Sequence, residues 1–82
     1  MAEQIHHFDA EDLGCAEGLP AEWKKQLDGI PVGDVLETVA RDPSAREDLP
    51  ALARMLGHEV ISSDWGPDAS VIVSVRRAKE GT

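Results

Sequence analysis

The chain has 82 residues, 41% hydrophobic and 29% charged, and sixteen acids against eight Lys plus Arg give a formal charge of −8. A chain this short buries roughly 60–65% of its unfolded surface, enough for one domain over residues 1–82 with a thin two-layer core but too little for a deep internal active site. The negative balance repels phosphate backbones and anionic lipid, and the nearest basic pairs, Lys24–Lys25 and Arg76–Arg77, make no basic patch, so neither nucleic acid nor a membrane surface is an expected partner.

Residues 3–10 begin the chain as a short first strand, with Ile5 and Phe8 supplying apolar weight beside His6 and His7. Residues 11–18, with two glycines and three acids, read as a loop. Leu19, Trp23 and Leu27 then fall at i, i+4 and i+8, one face of a helix; Pro20 suits its first turn, and Gly29 with Pro31 stops it. Asp34 to Arg41 is β-branched and apolar enough for a second strand.

The next segment is crowded with helix-start signals. Asp42 and Asp48 each suit a cap, and Ser44-x-x-Glu47 has capping-box spacing. The expectation is a single turn at 43–47 leading into a main helix at 49–56, with Leu49, Leu52, Met55 and Leu56 as its apolar stripe and Gly57 as its stop. His58 to Trp65 and Ser70 to Arg77 follow as two strands around a Gly66-Pro67-Asp68 turn. The order β-α-β-α-β-β predicts an α+β, two-layer sandwich: a mixed four-stranded sheet with both helices on one face.

Cys15 is the single cysteine. It excludes an internal disulfide and a zinc site with several thiolates. The first residues lack a basic segment followed by an apolar stretch, and no apolar run approaches the roughly 20 residues that span a bilayer. A soluble protein of a reducing compartment, the cytoplasm, is expected.

Cys15 is also the one plausible nucleophile, in a loop just ahead of the first helix. The competing reading is a small buried hydrophobe. Glu11, Asp12 and Glu17 are near in sequence and would raise its pKa. His6, His7 and His58 with Cys15 have poor metal-ligand spacing, because adjacent strand residues point to opposite faces. A Cys–His catalytic pair lacks room for a substrate cleft in so shallow a domain. No metal and no cofactor are expected. Trp23 reads as a core anchor, and Trp65 as part core and part surface.

These residues resemble a known family. Asp42-Pro43, Asp48-Leu49-Pro50 and Gly57-His58-Glu59, within Gly33 to Ile61, look like the second half of the TusA/SirA sulfur-carrier family. Phe8-Asp9-Ala10 followed by Leu13-Gly14-Cys15 is similar to the segment ahead of that family's functional cysteine. The family's Cys-Pro-x-Pro motif reads Cys15-Ala16-Glu17-Gly18 here, with both prolines replaced. The resemblance implies a two-layer sandwich and a sulfurtransferase-type carrier in which Cys15 accepts persulfide sulfur. The implied partners are a donor protein, a cysteine desulfurase or rhodanese-like protein, and an acceptor protein serving tRNA thiolation, molybdenum-cofactor assembly or sulfur oxidation. The alternative is a non-catalytic interaction or regulatory module on the same fold. RNA binding, by analogy with a translation initiation factor domain of similar fold, is disfavoured by charge.

Overall fold

The computed structural model describes residues 3–78. Four strands and two helices follow the expected order: β1 (Ile5–Glu11), α1 (Leu19–Asp28), β2 (Val35–Ala40), α2 (Ala45–Met55), β3 (Glu59–Trp65) and β4 (Val71–Arg76). The strands form one sheet in the order β1-β2-β4-β3. β1 and β2 are parallel, joined by α1 as their crossover, whereas β4 is antiparallel to both β2 and β3. The sheet is therefore mixed.

Both helices cover the same face. Leu19, Trp23 and Leu27 from α1 are fully buried against Leu36 and Ala40 of β2, with Val71, Val73 and Val75 of β4 completing the floor. The three valines alternate inward as the period-2 pattern requires. Trp23 is a core anchor. Trp65 is exposed, and the Arg46 guanidinium lies 5.2 Å from its ring centroid.

The second helix corrects the sequence reading. It is one continuous helix from Ala45 to Met55, not a turn followed by a helix, with Pro50 inside it. A proline there cannot donate to the carbonyl four residues earlier, that of Arg46. Ser63 Oγ on β3 donates to that carbonyl instead, at 2.6 Å, so the missing bond leaves no orphaned oxygen. The buried stripe shifts accordingly to Ala45, Leu49, Pro50 and Ala53, and Met55 is exposed. The helix ends as expected at Gly57, whose φ of 86° lets its N–H reach Arg54 O and the His58 N–H reach Ala53 O.

Candidate functional site: the Cys15 turn and the start of the second helix

Parallel β1 and β2 bring the segments that follow them to the same end of the sheet. One leads into Cys15, the other into Asp42, Pro43 and Ser44. Residues expected as loop wind into a 3-10 turn, Cys15–Glu17, before the chain crosses Gly18 at φ 100° into α1. Two carboxylates hold that turn. Glu17 Oε1 accepts the Gly14 N–H at 3.0 Å, and Asp42 Oδ2 accepts the Cys15 N–H at 2.8 Å. A Cβ on Gly14 would lie 2.5 Å from that Glu17 oxygen and 3.1 Å from Asp42 Oδ2. A side chain there would displace the Glu17 carboxylate from the Gly14 N–H.

Asp42 serves both strands of this arrangement. Its Oδ1 accepts the Ser44 N–H at 3.0 Å and the Ser44 hydroxyl at 2.8 Å. These contacts lower its pKa to about 2, the Cys15 N–H being the largest cause. Ser44 Oγ also stands 3.6 Å from Cys15 Sγ, within donor reach of the sulfur. The Ser44-x-x-Glu47 capping box therefore does not form: Ser44 has no side-chain bond into its own helix.

Cys15 is half-buried, packed against the core on one side and open on the other. Its pKa is raised, chiefly by that burial. The Ser44 hydroxyl lowers it, while a hydrogen bond to Asp48 and the charges of Asp42 and Asp48 raise it further. The acids that act on the thiol thus arrive from 27 and 33 residues away in the chain. This corrects the assignment of that role to Glu11, Asp12 and Glu17, of which Glu17 is engaged with Gly14. It also corrects the assignment of Asp48 as a cap, since Asp48 lies within α2 and faces the sulfur.

The histidines are placed elsewhere. His6 Nε2 is 2.9 Å from Asp34 Oδ2, His7 Nδ1 is 2.9 Å from Glu37 Oε1, and His58 Nδ1 accepts the Ala78 N–H. Among the described residues, no group of three or more His, Cys, Asp or Glu side chains is arranged to hold a metal ion. Among them too, no helix is long and apolar enough to cross a membrane. Between the first turn of α1 and the outer face of α2, Pro20, Asp48, Ala51, Leu52 and Met55 line a shallow, mainly apolar groove of about 320 Å³. Sequence reasoning found Cys15 but missed Ser44 and the second role of Asp42. The one signal for them was an Asp-Pro-Ser step straight after a strand parallel to the one before Cys15.

Comparison with known proteins agrees with this architecture. Residues 9–77 match the family described as Sulfurtransferase TusA. The sulfur carrier protein TusA of Pseudomonas syringae pv. syringae is 39% identical over 68 residues, covering 76% of this chain and 80% of that protein. The protein of the same name from Pseudomonas entomophila is 36% identical over 63 residues, covering 74% and 78%. The crystal structure of a SirA-like protein from Desulfitobacterium hafniense superposes with a TM-score of 0.69 at 16% identity, over 92% of this chain and 99% of that one.

Proposed function

The chain belongs to the TusA sulfurtransferase family, and from that membership we propose that it is a sulfur carrier that holds persulfide sulfur on Cys15. Cys15 is the only thiol in the chain, and it stands half-exposed in a turn fixed by carboxylates from two segments. That single observation carries the assignment. A carrier needs one sulfur nucleophile that fits into another protein's site, and it needs no pocket of its own.

The reaction balances as two displacements. The Cys15 thiolate attacks the outer sulfur of a persulfide on the donor protein; a new S–S bond forms, the donor's S–S bond breaks, and the donor cysteine leaves as a thiolate. The acceptor's nucleophile then attacks the outer sulfur now on Cys15, and the Cys15 thiolate leaves. The sulfur moves at the same oxidation level, so no external oxidant or reductant enters. The donor is a cysteine desulfurase or rhodanese-like protein, and the whole chain acts as one domain in the reducing cytoplasm. Asp42 and Asp48 beside the thiol favour donors that bring cationic side chains to this end, which both steer docking and release the thiolate.

The raised thiol pKa favours a second reading, a non-catalytic module whose cysteine is idle. At neutral pH it makes the free chain alkylate more slowly than an ordinary thiol under either reading, because only the thiolate reacts. Loading separates them. Incubation with a desulfurase and cysteine is expected to add the mass of one sulfur atom, removable by reductant and absent in Cys15→Ser. No adduct on the unaltered chain, or one that persists in Cys15→Ser, overturns the carrier assignment.

A further inference from the structure

Resting on Cys15 as the carrier residue, we propose that Ser44 is the hydrogen-bond donor to the anionic Cys15 sulfur, and that Asp42 is the positioning residue that aims it. The Ser44 hydroxyl carries one hydrogen and stands within reach of two acceptors, Asp42 Oδ1 at 2.8 Å and Cys15 Sγ at 3.6 Å. It cannot serve both at full strength. Which acceptor it serves follows from the state of the sulfur.

In the thiol state the sulfur has its own proton to place. The Asp48 carboxylate acts on the sulfur from α2 as an acceptor, which suits the thiol proton and not the anion. The Ser44 hydroxyl is then left for Asp42. Once the sulfur is anionic, Asp48 can offer it nothing and repels it. The charged groups facing the sulfur are Asp42, from the β2–α2 connection, and Asp48, from α2; Glu17, in the sulfur's own turn, is held on the Gly14 N–H. Of the side chains acting on the sulfur, Ser44 is the one that favours the anion.

The switch needs only rotation of one O–H bond. Asp42 remains satisfied after it, because Oδ1 keeps the Ser44 N–H at 3.0 Å and Oδ2 keeps the Cys15 N–H at 2.8 Å. No buried group is orphaned in either state. The same two bonds fix the Ser44 and Cys15 backbones to one carboxylate, which holds donor and sulfur at a constant separation. In a persulfide the charge sits on the outer sulfur, about 2 Å beyond Sγ. Ser44 therefore acts when Cys15 is a thiolate, as nucleophile during loading and as leaving group during delivery, more than on the cargo.

The test is the pH profile of iodoacetamide alkylation on the full chain, with no sulfur donor present. Ser44→Ala is expected to move the profile to higher pH and slow the reaction at pH 7 about 2- to 10-fold, the effect of losing one ordinary hydrogen bond at an exposed contact. A Ser44→Ala protein that unfolds exposes the thiol and speeds alkylation, the opposite direction. Ser44→Thr and Ser44→Val then decide, being matched in shape: the threonine is expected to keep the native profile and the valine to lose it. Equal profiles for that pair overturn the proposal, as does a Ser44→Ala chain that is folded and titrates like the native one. Failure of sulfur loading on the native chain instead counts against the carrier assignment, and leaves the alkylation result standing.

Discussion

The two ends of the β2 strand handle carboxylates in opposite ways. At its start, Asp34 pairs with His6, Glu37 along the strand pairs with His7, and Arg76 on the adjacent β4 bridges Glu3 and Glu59. At its end, Asp42, Glu17 and Asp48 instead meet amide N–H, hydroxyl and thiol groups. The first arrangement sets its acids against imidazole rings or a shared guanidinium on the surface. The second spends acceptors on fixing backbone and leaves negative potential beside the sulfur. The overall charge of −8 therefore conceals two arrangements: some acids are paired with basic side chains, and others are gathered beside the sulfur.

That contrast can be broken or sharpened by substitution. The largest effect is expected from Leu49→Ala, since Leu49 is fully buried in the core from which both ends hang. A loss of about 2–5 kcal/mol is expected, a large share of the stability of so small a domain, and thermal unfolding should show both ends failing together. Asp42→Asn comes next, at about 1 kcal/mol after allowance for partial exposure, read as a fall in Tm. Its pH signature is specific. An ionised Asp42 supports the fold above its ordinary pKa of 3.8, and that support is lost as pH falls through about 2. The asparagine variant should accordingly lose less stability than the native chain over that acid interval. Arg76→Gln is expected to change Tm least, and the change should vanish in high salt, because its ion pairs with Glu3 and Glu59 are exposed. An Arg76→Gln effect larger than that of Asp42→Asn would reverse the proposed ranking of the two ends.

Most of the fold was legible because its signals are local. The inward valines of β4, the Leu19, Trp23, Leu27 stripe and the Gly57 stop each depend on neighbours within a turn or a strand. Pro50 misled for the converse reason. Its position reads as a helix start, and only a serine 13 residues later, on β3, makes it tolerable inside the helix. The candidate site divides in the same way. Cys15 stands out as the lone thiol, whereas Asp42, Ser44 and Asp48 reach it through parallel pairing of β1 with β2, which no local pattern encodes. The absent prolines after Cys15 have a counterpart that is partly local and partly not, since the turn is held by Glu17 on Gly14, three residues apart, and by Asp42 on Cys15 across the sheet end.

The strand order β1-β2-β4-β3 has a consequence for synthesis. β4, the last strand along the chain, occupies an interior place between β2 and β3 and supplies three fully buried valines under the helices. A nascent chain that has emerged only through β3 has no strand to join its two halves. Loops of this length must close before the contacts that repay them form, which slows folding relative to a helical bundle. Residues 71–76 therefore act as a keystone. Until they pair, β2 and β3 are not joined and the valine floor under the helices is missing.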